Sequence, residues 1–121
     1  MNQTKGKIED IITKKIIVFY RETMGVGPKE AKTYVLEDMI VIRLKTQLLP
    51  IEKKLLLGKR GTELVKNIRQ SIHELTVNQI NNIIGEITGQ KIVSTHSDIS
   101  TKTGEIFQVF VLEENYEKKL D

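Results

Sequence analysis

The chain has no cysteine, few aromatic residues and no long hydrophobic run. Without cysteine it has no disulfide bonds, no thiolate metal site and no cysteine nucleophile. The longest uninterrupted apolar run, residues 16–20, is five residues long, whereas a helix needs ~20 predominantly apolar residues to cross a bilayer. The sequence therefore predicts a cytoplasmic protein without a membrane-spanning segment.

Positive and negative charges nearly balance, with 19 Lys and Arg against 16 Asp and Glu and a net charge of +3. This excess is far below that of a dedicated nucleic-acid-binding protein. Only three tyrosines and three phenylalanines are present, which argues against a surface on which single-stranded bases stack. Nucleic acid is thus a disfavoured partner, although contact with duplex phosphates stays open.

At 121 residues, the chain is predicted to form a single domain, since domains average ~100–200 residues. We expect the folded core to cover about residues 4–113. Residues 114–121 are expected to form an acidic C-terminal tail, either a short helix or a frayed end.

Helical periodicity appears in two long stretches. Apolar residues recur every three or four positions in residues 8–24 and again in residues 64–87, which is typical of amphipathic helices. Thr62 is the predicted N-cap of the second helix. An unbroken second helix would reach ~40 Å, so we expect it either to bend near residues 76–78 or to have its far end covered by a partner.

The remaining apolar segments predict two β-hairpins and a short helix. Residues 31–45 are strand-like around a turn at 37–39, and residues 91–112 are strand-like around a turn at 99–104. Pro50 suits the first position of a short helix over 51–57. The predicted fold is α+β, a two-layer sandwich in which helices pack on a four-stranded antiparallel sheet, in the order α-β-β-α-α-β-β. Exposed sheet edges favour pairing, so we expect a homodimer.

The densest polar cluster covers residues 94–105. On an extended strand Ser94, His96 and Asp98 would share a face, so that Asp98 could orient the imidazole of His96. One interpretation is a small-ligand site or an enzyme that uses this pair; the other is a hydroxyl-rich turn that satisfies its own backbone amides. No oxyanion-hole motif accompanies the cluster, and no catalytic residue is assigned. The predicted partner- or ligand-binding residues are His96, Ser97, Asp98, Ser100, Thr101, Lys102, Thr103 and Glu105.

Neither histidine predicts a metal site. His73 and His96 lie on different elements and lack partners at metal-ligand spacing. The glycines at 25 and 27 close a helix instead of opening one, so they do not form a phosphate-binding loop. No metal and no cofactor are predicted.

The strongest local charge asymmetry lies between residues 53 and 69. It suits contact with phosphates, anionic lipid headgroups or an acidic protein surface, or it is simply a solvated face. The predicted basic face consists of Lys53, Lys54, Lys59, Arg60, Lys66 and Arg69.

Several segments resemble the MpsC family, small bacterial proteins named for a sodium-translocating, membrane-potential-generating system. The most specific of them is the run His-Ser-Asp-Ile-Ser-Thr-Lys-Thr-Gly-Glu at residues 96–105, and the resemblance extends over about residues 4–113. The segments that carry it are residues 27–29, 35–44, 49–53, 61–65, 88–94 and 96–105.

This resemblance implies a soluble accessory or regulatory subunit. The family is associated with a system that supplies membrane potential and inorganic carbon, and its ion-conducting part is a separate large membrane protein. The resemblance therefore implies a non-enzymatic protein that binds a protein partner, such as a membrane-associated transport complex, at the inner face of the membrane. Where the family often has threonine before the helix-starting proline, this chain has Leu49, which removes that cap.

Overall fold

The elements follow the order that the hydrophobic pattern predicts. In the computed structural model, which describes residues 3–121, the α+β class and the order α-β-β-α-α-β-β are confirmed. A 3-10 helix at Glu117–Lys119 follows the last strand. The main elements are α1 (Lys5–Met24), β1 (Glu30–Leu36), β2 (Met39–Lys45), α2 (Pro50–Leu55), α3 (Gly61–Thr88), β3 (Ile92–Ile99) and β4 (Glu105–Leu112).

The sheet is antiparallel throughout, with the strand order β1-β2-β4-β3. Strand β2 buries Ile40, Ile42 and Leu44 and turns the alternate residues to the other face, as its period of two requires. A two-residue turn joins β1 to β2, and Glu37 there has a φ of 54°, the left-handed conformation that tight hairpins need.

The core lies between the helices and one face of the sheet. Because α1 places an apolar side chain inward on successive turns, Ile8, Ile12 and Ile16 are buried against the sheet. Ile80 and Ile84 of α3 join the same core. From the sheet, the core receives Val35, Ile40, Ile42, Leu44, Ile99, Ile106, Phe110 and Leu112.

The start of α3 differs from the prediction. The helix begins at Gly61 with Arg60 as its N-cap residue, and no side chain caps it; the prediction that Thr62 is the N-cap is wrong. A β-carbon on Gly61 would lie 1.8 Å from the carbonyl oxygen of Leu55. The close approach of α2 therefore determines where α3 begins.

Helix α3 is one helix of 28 residues. Val65 and Ile80 are buried, whereas residues 66–79 are exposed or half-buried, the side chain of Arg69 being the one that comes nearest to full burial. Leu64, Ile68 and Leu75 are exposed on this part of the helix, Leu75 by 83%. The middle of α3 thus bridges two buried anchor points.

The C-terminal segment packs on the domain. Tyr116 is buried with the core. Glu117 pairs with Lys5 at 2.7 Å and accepts a hydrogen bond from the backbone N–H of Glu37 at 2.9 Å. These contacts fasten the segment against α1 and the β1–β2 turn.

Candidate functional site

One face of the sheet is not covered by the helices, and we call it the open face. Its centre is apolar, and several of its side chains are substantially exposed, including Tyr34 at 39% and Phe107 at 46%. The register places His96 beside Val109 and Asp98 beside Phe107. The apolar residues of the open face are Tyr34, Leu36, Met39, Val41, Phe107, Val109 and Val111.

Most of the charged residues at one end of the open face are paired with one another. Arg43 donates to Glu105 at 2.7 Å, and Lys45 lies 3.3 Å from Glu30. The guanidinium of Arg43 also lies 5.7 Å from the centre of the Phe107 ring, within the range of a cation–π contact. The open face is therefore apolar at its centre. At its charged end Lys32 is in none of the ion pairs found among residues 3–121, so this end keeps one unpaired positive charge.

The predicted polar turn is built by its own hydroxyl groups. The Ser100 hydroxyl accepts from the backbone N–H groups of Lys102 and Thr103, and the Thr103 hydroxyl accepts from that of Glu105. Gly104 has a φ of 81°, and a β-carbon there would lie 2.8 Å from the carbonyl oxygen of Thr46. The hydroxyls thus serve the turn, and the side chain of Lys102 stays exposed at its tip.

His96 and Asp98 do not form a pair. They share the open face with Ser94, as predicted, and Nε2 of His96 lies 3.3 Å from the Ser94 hydroxyl. Asp98 instead accepts from Lys66 at 3.2 Å and from the backbone N–H of Ile99 at 2.9 Å. These two hydrogen bonds, the backbone one first, lower the pKa of Asp98. The expectation that Asp98 orients the imidazole is wrong, because its carboxylate is held by α3.

Arg69 is not part of a basic surface. Its Nε and Nη2 atoms donate to the two carboxylate oxygens of Glu52 at 2.6 and 2.7 Å, and the side chains are only 9% and 2% exposed. Glu52 also accepts from the backbone N–H of Leu49 at 2.8 Å, which is the contribution of glutamate to a capping box; the cap that a threonine hydroxyl would supply is absent. The placement of Arg69 on the basic face is therefore corrected, since this ion pair joins α2 to α3 inside the protein.

The other predicted basic residues stay at the surface. Lys66 pairs with Asp98, so the basic segment and the polar turn adjoin. Arg60 lies 3.8 Å from Glu63. Lys53, Lys54 and Lys59 are exposed, and the ion pairs found among residues 3–121 do not include them.

A cavity of about 290 Å³ lies between α1, α3 and the sheet. Phe19, Tyr20 and Ile72 are among its apolar walls, while Ser97 and Asp98 bring the predicted cluster to it. His96 does not line it. The concave space that a small ligand would need is thus on the other side of the sheet from the histidine that the sequence singled out.

Two titratable side chains that line this cavity, His73 and Tyr20, are partly buried. The Nδ1 atom of His73, which lines it, is buried without a hydrogen-bond partner among the described residues. Burial lowers the pKa of His73, against a smaller opposing effect of Glu74. Burial likewise raises the pKa of Tyr20 to about 12, and its hydroxyl lies 2.7 Å from the amide nitrogen of Gln108. These groups stay uncharged near neutral pH.

Sequence reasoning missed the Glu52–Arg69 pair and the cavity. Glu52 stands at the third helical position after Leu49, which is where a capping glutamate occurs, and this was the one available signal. Nothing in the sequence indicates that an arginine seventeen positions later would complete the site.

Taken together, these features define a small two-layer α+β protein whose distinctive surface is an uncovered, apolar sheet face. The chain belongs to the MpsC family, because the family pattern described as "Na+-translocating membrane potential-generating system (MpsC)" matches residues 4–114. The resemblance drawn from the sequence is thereby confirmed. The uncharacterized protein YbcI of Bacillus subtilis (strain 168) is 37% identical over 121 residues, which cover 100% of this chain and 98% of that protein. No solved structure matches the chain significantly.

Proposed function

We propose that the protein is a non-enzymatic accessory subunit of a membrane-potential-generating ion or inorganic-carbon transport system, and that it acts by protein–protein binding at the cytoplasmic face of the membrane. The description of its family supports the association with such a system. Within residues 3–121, no helix is both long and apolar enough to cross a bilayer. The open face of the sheet carries the protein-binding part of the proposal, as the contact between two copies of the chain. The polar turn, with the exposed Lys102 at its tip, is the surface we propose for the membrane subunit.

Protein binding accounts for the open face better than small-molecule chemistry does. Its β-branched and aromatic side chains are those that pack well between two sheets. Around the cavity, by contrast, Lys66 is paired with Asp98 and Arg69 with Glu52. Because these charges are already paired, neither lysine nor arginine is free to bind a charged substrate in the cavity.

The occupant that the open face fits is a second copy of the same chain. Arg43 and Lys45 are already paired with Glu105 and Glu30 within each copy, so Lys32 is the residue at this end whose charge a second copy has to accommodate. Four strands ~4.8 Å apart and about seven residues long give a footprint of about 19 Å by 24 Å. Two such sheets would pack ~10 Å apart as a sandwich.

The sheet edges are less suited to pairing than the open face. At the β1 edge, the backbone N–H of Val35 donates to the carboxylate of Glu9 at 2.9 Å, and the hydroxyls of Thr13 and Thr33 lie 2.8 Å apart. At the β3 edge, the register is interrupted between Ile92 and Ser94. Such side-chain cover and bulges protect edge strands from pairing, so we place the dimer contact on the open face.

We expect size-exclusion chromatography with light scattering to give twice the 13.9 kDa mass of the chain. The double variant Tyr34→Glu/Phe107→Glu should raise the dimer dissociation constant by about a thousandfold, because buried interface aromatics contribute ~2 kcal/mol each or more. Both side chains are exposed in one copy, so the fold should survive, as circular dichroism would check.

The matched control for the dimer is Val18→Glu/Leu75→Glu, which likewise replaces two exposed apolar side chains with glutamate, at helical positions away from the open face. This control should remain dimeric. A wild-type mass of one chain at high concentration, or equal loss of the dimer in both variants, would overturn the assignment of the open face.

The accessory role is tested by co-expressing the tagged chain with the large membrane subunit of the system from the same organism. After extraction in mild detergent, the membrane subunit should be retained with the chain. Lys102→Glu should reduce retention at least about tenfold, because reversing a charge at a contact places like charges together. Lys118→Glu, also exposed and at the other end of β4, is the control. Failure of the wild-type chain to retain the membrane subunit would contradict the proposed role.

A further inference from the structure

The segment from α2 to the start of α3, residues 50–60, forms an exposed elbow. We infer that this elbow, through Ile51, Leu57 and the lysines around them, is a docking surface for an anionic phospholipid membrane. The inference deepens the proposed placement at the membrane and adds the lipid class and the residues. It does not depend on the dimer or on the membrane subunit.

The first observation is that the elbow exposes large apolar side chains at its surface. Leu57 is 84% exposed and Ile51 is 67% exposed. Leu57 lies just past the end of α2, in a turn closed by backbone hydrogen bonds from Leu57 to Lys54 and from Gly58 to Leu55. An interfacial segment inserts side chains of this kind below the level of the headgroups.

The second observation is that the acid of this segment points inward. On an ideal helix Glu52 lies about 160° around the axis from Lys54, and it is buried against Arg69. Lys53, Lys54 and Lys59 remain at the surface, and the ion pairs among residues 3–121 include none of them. Because the one acidic residue of this basic segment is buried, the surface of the elbow is more cationic than its sequence alone indicates.

The two observations together favour a membrane over a nucleic acid as the binding partner of the elbow. A phosphate backbone would be held by the lysines alone, and the exposed Ile51 and Leu57 would then have no role. Lysine beside protruding leucine and isoleucine is the combination that binds anionic bilayers, since apolar insertion and surface charge act together. On an ideal helix Lys54 lies about 60° around the axis from Ile51, so these two can engage one bilayer surface together. Lys53 lies about 160° from Ile51, and its long side chain has to reach that surface from the flank.

The test is co-sedimentation of the purified full-length chain with vesicles of phosphatidylglycerol and phosphatidylcholine, or of phosphatidylcholine alone. We expect binding to the anionic vesicles only, and weaker binding at high salt because of screening. Leu57→Ser should weaken partitioning about tenfold. Lys53→Gln/Lys54→Gln should weaken it about fivefold for each lysine removed.

Two controls are matched to these variants. Leu75→Ser removes a leucine of nearly equal exposure, 83% against 84%, from the middle of α3. Lys14→Gln/Lys15→Gln removes the same net charge from α1, where both lysines are exposed. Both controls should bind vesicles as the wild type does.

The inference is overturned if the wild-type chain does not sediment with anionic vesicles, if phosphatidylcholine alone binds it equally, or if the controls lose as much binding as the elbow variants. Low-salt retardation of duplex DNA that needs Lys53 and Lys54 but not Leu57 would instead identify the elbow as a phosphate-binding surface. Because the membrane subunit is absent from this assay, a negative result leaves the accessory role to be decided by the capture experiment.

Discussion

Replacing Glu52 with alanine is expected to lower the free energy of unfolding by about 3–5 kcal/mol. The change leaves the guanidinium of Arg69, only 9% exposed, without its carboxylate, and it removes the acceptor for the backbone N–H of Leu49. Since small domains are stable by only ~5–15 kcal/mol, the loss should be plain in urea denaturation followed by circular dichroism.

Two further variants show whether the loss comes from the unpaired charge. Asp10→Ala breaks an exposed pair with Lys14 and should change stability by less than about 1 kcal/mol. Glu52→Leu/Arg69→Met removes both buried charges, so it should cost clearly less than Glu52→Ala alone. If the double variant is the less stable of the two, the unpaired arginine is not the cause.

The loss of stability at low pH provides an independent test of the Glu52–Arg69 pair. Burial by itself would raise the pKa of Glu52, but the hydrogen bonds from Arg69 and Leu49 outweigh it and leave that pKa below its usual range. The unfolded chain therefore takes up this proton at a higher pH than the folded protein does. The stabilisation is complete above the ordinary glutamate pKa of ~4.3 and is lost as the pH falls from there towards the folded value. Glu52→Leu/Arg69→Met should lack this part of the acid sensitivity.

Gly61→Ala is expected to destabilise the protein by about 3 kcal/mol, the upper end of the usual range for overpacking. A β-carbon at this position meets backbone atoms of Leu55 and Leu56, the nearest at 1.8 Å, and backbone moves less readily than a flexible side chain. The substitution must push α2 away from α3. Thermal and urea denaturation would measure the change.

Gly6→Ala is the matched control, because Gly6 also lies in the first turn of a helix and a β-carbon there meets nothing within 4 Å. That substitution should be neutral or stabilising by up to ~1 kcal/mol, since alanine favours the helix. Similar effects of the two substitutions would contradict the close packing of α2 on α3.

Local pattern was sufficient for most of the fold because the features that set it are local. The alternation of Ile40, Ile42 and Leu44 with more polar neighbours predicted β2 and its buried face, and both agree with the structure. The wrong N-cap at Thr62 has a different origin. The start of α3 depends on contact with α2, and such a contact between elements leaves no periodicity in either segment.

The candidate site was less predictable for the same reason. A charge count along the sequence assumes that every arginine is exposed to solvent. Arg69 is an exception, because it forms a buried ion pair with a glutamate of another helix. The hydroxyl groups around Ser100 are compatible with a turn or with a binding site, because both would use the same residues. Only the hydrogen bonds that the Ser100 and Thr103 hydroxyls accept from neighbouring backbone N–H groups show that the turn itself uses these hydroxyls.

The bridge formed by the middle of α3 has a mechanical consequence. Its buried anchors Val65 and Ile80 are fifteen residues apart, about 22 Å at 1.5 Å per residue. Because the helix is packed on the core near both ends, it holds the elbow in a fixed position relative to the sheet. Two copies joined at their open faces would hold their elbows at one separation and one relative orientation. Such a dimer would bind a surface through both elbows at once. Because the distance between the elbows is fixed, its binding would depend on the curvature of the surface as well as on the surface charge.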